Sequence, residues 1–428
     1  MFKYFFSKSE FSKNVLTLVS GTTISQIVVL ATAPILSRIY SPQEFGIFAT
    51  YFSIVSAIVI FSAGRYELAI VLPETDEEAI NLFAIAFIIN IFVSVVSLLI
   101  SLVVIFFFAV NFHLSDKLIF WLYFIPLFVF LIGTYQVLNN WAMRKKNYKS
   151  ISQYRISNSL ATVLTNIGFG VFLPGESGLF IGNLLGNLVS LFVFWKTAFS
   201  NLRSLASHIN TKEMKAAAIK YKHFPLTNSF LAASGIFQVS GIIYFTSYFF
   251  NQAVVGAFSY TIRVLQAPMN FIGGAISQVF YQQASIIKAD NEQLKKLVFG
   301  TIKKSSFVSL PFLIVLLLWG PQLFAFVFGK EWEIAGQYAR ILSPWIFLDF
   351  IRATVSQLVL IVEKQKPYLI FSVLGNLILI LSMMIGGMVT HNILDGFMIF
   401  SACNSLLTVY ILFWMYKLSG EKKDNFIN

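Results

Sequence analysis

Cysteine is almost missing from the 428-residue chain. The single Cys403 cannot form an intramolecular disulfide, which excludes an oxidised extracellular scaffold. Cys403 lies in a late apolar run, where a buried packing role is expected. Charge is also scarce: 12% of residues are charged, about half the share of an average soluble chain. The four histidines, His113, His208, His223 and His391, fall in loops or at interfaces without ligand spacing, so neither a metal site nor a metal cofactor is indicated. No glycine-rich phosphate loop for ATP is present. The gaps between apolar runs on one side are too short to house an active site. The chain is therefore read as a non-enzyme without a cofactor.

What remains is apolar. Hydrophobic residues make up 57% of the chain, and the mean hydropathy is +0.75. Runs of roughly 20 residues, enough to cross a hydrocarbon core, recur along the chain. Twelve spans are expected, near residues 15–36, 45–72, 79–108, 118–141, 151–173, 178–195, 224–249, 254–280, 305–328, 334–362, 367–389 and 396–416. The fold class is an all-α integral membrane protein of about twelve transmembrane helices. The start, MFKYFFSKSEFSKNVLTLVSG, is basic and then apolar without a clear small-residue cleavage site, and reads as a retained signal anchor.

A net charge of +12 would suit nucleic acid, but its placement points to a membrane. Alternate gaps differ sharply in basic content. Counting Arg65 at the edge, one set of gaps holds 24 of the 31 lysines and arginines, and the other holds Arg38, Lys117 and Lys330. By the positive-inside rule the first set is cytoplasmic, with both termini inside. No nucleic-acid partner is expected.

The longest cytoplasmic connection, from Lys196 to Phe224, divides the spans six and six. The expected domains are residues 1–196, a basic linker at 197–223, and residues 224–428. In the linker Met214, Ala218 and Tyr221 recur at helical spacing among lysines, which suits a helix on an anionic membrane surface or a solvated linker. An even number of spans per half makes any internal repeat parallel, with a pseudo-two-fold axis along the membrane normal. Offset by 210 residues, IYSPQEFGIFATY at 39–51 lies over FFNQAVVGAFSYT at 249–261, matching Gly46 with Gly256 and Phe48 with Phe258. Ser41, Pro42 and Glu44 form a helix-start signature that places the next helix at Pro42. Gly182 and Gly186 in GNLLG are expected to let helices approach closely.

Charges inside spans carry the functional argument, since each costs at least about 2.5–3.5 kcal/mol at mid-bilayer unless it faces protein, water or ligand. Arg263, in SYTIRVLQAPMN, falls near the midplane, and Pro268 bends the helix or frees a carbonyl beside it. It is the main candidate for ligand contact. Arg65 and Glu67 lie in FSAGRYELAIVLPE and are both candidates for substrate binding along the path; residues two apart do not share a helix face, so they are expected not to neutralise each other. Asp349 and Arg352 are three apart and can form a structural pair, or Asp349 can take up a coupling ion. Arg155 and Arg38 lie at an interface or at a cavity mouth.

The stretches LSRIYSPQEFGIFATYFSIV, GRYELAIVLP and GAFSYTIRVLQAPMNFIGGAISQVFY resemble the bacterial polysaccharide-biosynthesis flippases, or O-antigen translocases, of the multidrug/oligosaccharidyl-lipid/polysaccharide exporter superfamily. The resemblance covers nearly the whole chain. It implies two six-helix lobes around a central cavity, in a multi-pass protein of the bacterial inner membrane. It also implies alternating access for undecaprenyl-diphosphate-linked oligosaccharide, moved from the cytoplasmic to the periplasmic leaflet for O-antigen, lipopolysaccharide or capsule assembly. Membrane lipids, a polysaccharide polymerase and a chain-length regulator are the implied partners. Carried onto this sequence, the cationic substrate-binding positions are Arg65 and Arg263, then Arg38 and Arg155. The alternatives are a cation-coupled multidrug antiporter of the same fold, a membrane-embedded glycan polymerase or glycosyltransferase, and a structural scaffold. An antiporter would want an acidic cavity, an enzyme larger outer loops, and a scaffold buried charges that are all paired.

Overall fold

The computed structural model describes residues 10–108, 116–172, 175–287, 290–362 and 364–420. The basic residues 1–9 and the tail 421–428, both expected inside, lie outside the described residues, as does His113. Among the described residues there is no strand. The helices are, in order, α1 (Glu10–Ile39), α2 (Pro42–Val59), α3 (Asp76–Val103), α4 (Asp116–Leu122), α5 (Ile125–Arg144), α6 (Tyr148–Phe172), α7 (Ser177–Leu205), α8 (Thr211–Lys220), α9 (Ser229–Phe249), α10 (Gln252–Ile287), α11 (Asn291–Phe328), α12 (Glu333–Val355), α13 (Leu358–Ile361), α14 (Gln365–Met384) and α15 (Ile393–Leu418).

Among the described residues seven helices are long and apolar enough to cross a membrane, and α4 with α5, bent by 50°, makes an eighth candidate. Helices α2, α6, α9 and α10 are not in that set; in α6 and α10 hydroxyl and amide residues interrupt the apolar faces. Eleven of the twelve expected spans nevertheless coincide largely with helix among the described residues. The second departs from expectation: α2 stops at Val59, a turn follows, and residues Tyr66–Val71 form a 3₁₀ segment. The loop expected before residue 305 is helical, since α11 starts at Asn291. Asp290 caps it, accepting from the backbone N–H of Glu292 and Gln293 at 3.1 and 3.0 Å; bonds of this kind hold its carboxyl below the usual carboxylate range.

Two compact units divide the chain, residues 1–40 with 47–240, and residues 41–46 with 241–428. In the first unit one core gathers Tyr51 and Val55 of α2, Trp121 of α4, Phe128 of α5 and Phe180 of α7. Trp121 stacks on Phe180 with centroids 4.1 Å apart. A second core joins the 3₁₀ segment to α3, α5, α6 and α7, and includes Ala217 and Tyr221 from α8 and its end. Met214 and Ala218 pack against it as well. The apolar face of the linker helix is therefore covered by protein, and its outward face carries Lys212, Lys215 and Ile219. Lys220 on Glu78 at 2.6 Å, and Tyr66 Oη donating to the Ala218 carbonyl at 3.1 Å, hold α8 in place. Gly182 and Gly186 behave as expected: a Cβ on Gly182 would fall on the Asn166 amide, and one on Gly186 on the Thr162 hydroxyl.

The second unit packs α10, α11, α12, α13 and α15 around Phe280, Val298, Val355, Leu358 and Met415. Gly320 and Gly336 bring α11 and α12 into main-chain contact, since a Cβ on Gly320 would come within 2.8 Å of the Gly336 carbonyl. The start of α2 belongs to this unit. Its capping box is complete: Ser41 N–H donates to Glu44 Oε2 at 2.7 Å, and Glu44 N–H to Ser41 Oγ at 3.4 Å. Here Gly46 lies on the Gln252 carbonyl and Gly256 on the Pro42 carbonyl. Positions 42 and 252, like 46 and 256, are related by the 210-residue offset, so the two contacts exchange under the repeat, as a two-fold axis between the glycines requires. Phe45, Tyr260 and Trp332 cluster beside the crossing, with centroids 4.2–5.4 Å apart.

The outer surface is apolar. Phe326 is 83% exposed and Phe172 82%, which water would not tolerate repeated over so many positions. Cys403 corrects the expectation of a buried thiol: it is exposed. It shares one face of α15 with Leu406, Tyr410 and Phe413, all exposed, and that stripe is apolar enough to meet lipid.

Candidate functional site

Arg263 sits eleven residues into α10, so at 1.5 Å per residue it is ~16 Å along the helix, about half of a 30 Å core. Leu265 and Thr261 beside it are buried, whereas Arg263 is exposed. Among the described residues its guanidinium makes no hydrogen bond and no ion pair. One turn earlier on the same side, the Ser259 hydroxyl is buried without a partner. Pro268 lies within the continuous helix and leaves the Val264 carbonyl without its usual donor. A guanidinium at this depth without a carboxylate is costly unless water or an anion meets it.

Arg65 occupies a different kind of place. Gly64 and Arg65 have φ values of 59° and 61°, two successive left-handed residues that turn the chain between α2 and the 3₁₀ segment. A non-glycine residue there costs roughly 1–2 kcal/mol, and such strain tends to persist at functional positions. The expectation that Arg65 and Glu67 would not neutralise each other is overturned. Arg65 Nη1 lies 3.7 Å from Glu67 Oε1. Residues two apart diverge only on one continuous helix, and the left-handed turn removes that geometry. The pair is loose: Arg65 Nε and Glu67 Oε2 are buried without hydrogen-bond partners.

Asp349 and Arg352 form the pair their spacing allows, with Nη2 and Nε of Arg352 donating to Asp349 Oδ1 at 2.6 and 2.9 Å. Arg352 Nη1 also donates to Tyr368 Oη. Arg155, on α6, donates to the Thr22 hydroxyl of α1 and has no carboxylate partner among the described residues. Arg38, in the last turn of α1, is exposed and donates to the Pro34 carbonyl at 3.0 Å. Arg340 donates through Nη2 to the Leu318 carbonyl at 3.0 Å, while its Nε is buried without a hydrogen-bond partner.

One cluster was not visible in the sequence. Arg144 donates to Asp76 Oδ1 at 3.0 Å and to the Pro73 and Ile70 carbonyls at 2.7 and 3.3 Å, and Lys145 also pairs with Asp76. Together they clamp the end of the segment that begins at Arg65. The run RKK carries an inside-positive signal and nothing that singles out Arg144. Among the described residues no group of three histidine, cysteine, aspartate or glutamate side chains could hold a metal ion.

These features define an all-helical membrane protein with the fold of the multidrug/oligosaccharidyl-lipid/polysaccharide exporter superfamily. The chain belongs to the polysaccharide biosynthesis protein family, whose profile matches residues 35–337. In structure it is similar to a multidrug resistance MATE family transporter of the MOP superfamily in an inward-facing conformation, with a TM-score of 0.72 at 14% identity over 94% of this chain and 98% of that one. It is similar to the lipid II flippase MurJ in an inward closed conformation, at 0.68 and 15% over 94% and 87%. The outward-facing form of a MATE transporter gives 0.55 and 14% over 96% and 97%. No curated protein matches the chain in sequence.

Proposed function

We propose that this protein is a flippase that moves undecaprenyl-diphosphate-linked oligosaccharide from the cytoplasmic to the periplasmic leaflet by alternating access, for surface polysaccharide such as O-antigen or capsule. One observation carries the reading: Arg263, about a third of the way along α10, is exposed and makes no hydrogen bond or ion pair among the described residues. A guanidinium fork binds phosphate oxygens through paired, charge-assisted bonds, and a diphosphate is the part of such a lipid that cannot cross hydrocarbon unaided. Arg65 is the second phosphate contact, held meanwhile by Glu67; Arg155 and Arg38 are auxiliary cations. The membrane potential contributes ~2.3 kcal/mol per negative charge moved outward per 100 mV, so translocation needs no fuel site on the protein. In this reading the protein lies in the inner membrane with both termini inside, and passes its product to a polymerase and chain-length regulator.

The multidrug antiporter alternative is favoured by the MATE likeness in fold alone. It would want free acids, whereas Glu67 and Asp349 each have an arginine beside them. Arg263→Ala should insert at normal levels, lose surface polysaccharide and accumulate lipid-linked intermediate on the inner leaflet. Arg263→Lys, which keeps the charge without the fork, should recover part of the export. Normal surface glycan in the alanine variant would remove Arg263 from the mechanism and the reading with it.

A further inference from the structure

We propose that the face of α10 running inward from Arg263 is a saccharide track, on which Gln266, Gln278 and Tyr281 receive the glycan while Arg263 takes the phosphates. This rests on the flippase reading above and adds the residues that meet the sugar. At 3.6 residues per turn, Gln266, Gln278 and Tyr281 fall within about 60° of Arg263 around the helix. All three are exposed, Tyr281 at 47%. Leu265 and Phe280 are buried. Among the described residues neither amide nor the Tyr281 hydroxyl has a hydrogen-bond partner.

Unpaired polar groups along a membrane helix are costly against lipid, because hydrocarbon cannot hydrogen-bond them. The face therefore meets water or a polar ligand. It also has a closed end. Two turns outward of Arg263, Gly256 is pressed on the Pro42 carbonyl, so the open stretch begins near Arg263 and continues toward Ile287.

The chemistry selects the occupant. A carboxamide both donates and accepts, matching sugar hydroxyls and acetamido groups, and a tyrosine ring adds a flat apolar surface with a polar tip. Gln266, Gln278 and Tyr281 are uncharged, so the one cation stands at the head of the track. That pattern suits a ligand whose charge is concentrated at one end and whose remainder is neutral and hydroxylated. Eighteen residues separate Arg263 from Tyr281, ~27 Å of helix, room for several sugar rings in a row.

The single native cysteine makes a direct test practical. In a Cys403→Ser background, cysteines at 266, 278 and 281 should react with a membrane-impermeant methanethiosulfonate in inside-out vesicles. A cysteine at buried Leu265 should not react, and neither should native Cys403 on its apolar stripe. In reconstituted vesicles, Gln278→Ala and Tyr281→Ala should bind undecaprenyl diphosphate within roughly twofold of the parent, yet export glycan in cells roughly tenfold less; Arg263→Ala should lose both. Unreactive cysteines, normal export by both glutamine and tyrosine variants, or loss of undecaprenyl diphosphate binding by them equal to that of Arg263→Ala would each overturn the track. Normal export by Arg263→Ala would instead sink the flippase reading beneath it, so the two failures are distinct.

Discussion

Arg65 and Glu67 show how one backbone angle changes what a side chain can do. In a regular helix they would point apart; after the left-handed turn at Gly64 and Arg65 they meet at 3.7 Å. That separation is long for a charge-assisted bond, normally 2.7–2.9 Å, and the unpaired Nε and Oε2 leave both groups underused. A phosphate competing with Glu67 would then meet a partner already oriented. Glu67→Gln should raise affinity for undecaprenyl diphosphate by roughly threefold, the ~0.6 kcal/mol expected of a weak pair. Equilibrium binding to vesicles containing the purified variant would show it, and lowered folding yield at unchanged affinity would mark the pair as purely structural. Arg263 has no such tether. The contrast separates a cation held in reserve from one permanently available.

Helix contacts follow a rule that was legible in part. GNLLG pointed to close packing, and α6 and α7 do meet through Gly182 and Gly186. Gly182→Ala should cost about 1–3 kcal/mol by overpacking against the Asn166 amide and lower the thermal midpoint in detergent, measurable by tryptophan fluorescence. The capping box of Ser41 and Glu44, the start of α2 at Pro42 and the Asp349–Arg352 pair were equally readable, because each depends on neighbours a few residues apart. What sequence could not reveal is set by distant partners. The clamp of Arg144 on Pro73 and Asp76, and the seating of Met214 and Ala218 on the first unit, join segments far apart in sequence. Cys403 failed differently: apolar surroundings in a sequence read as burial, whereas in a membrane protein the exposed face is apolar too.

At the scale of the molecule, the flippase reading puts both termini inside, on the strength of the lysine and arginine bias between alternate gaps. A cysteine appended after Asn428 in the Cys403→Ser background should react with an impermeant maleimide only after cells are permeabilised; labelling of intact cells would reverse the topology and the direction of transport with it.

The meeting of Gly46 with Gly256 has a consequence for ancestry. Each lies against the main chain of the other's helix, through Gln252 and Pro42, so a methyl group added at either would wedge both helix starts apart. A gene encoding just one half would carry a single copy of that bare surface. Its product would find the complementary shape on an identical neighbour, and fusing two such genes in tandem would preserve the match without any new side chain.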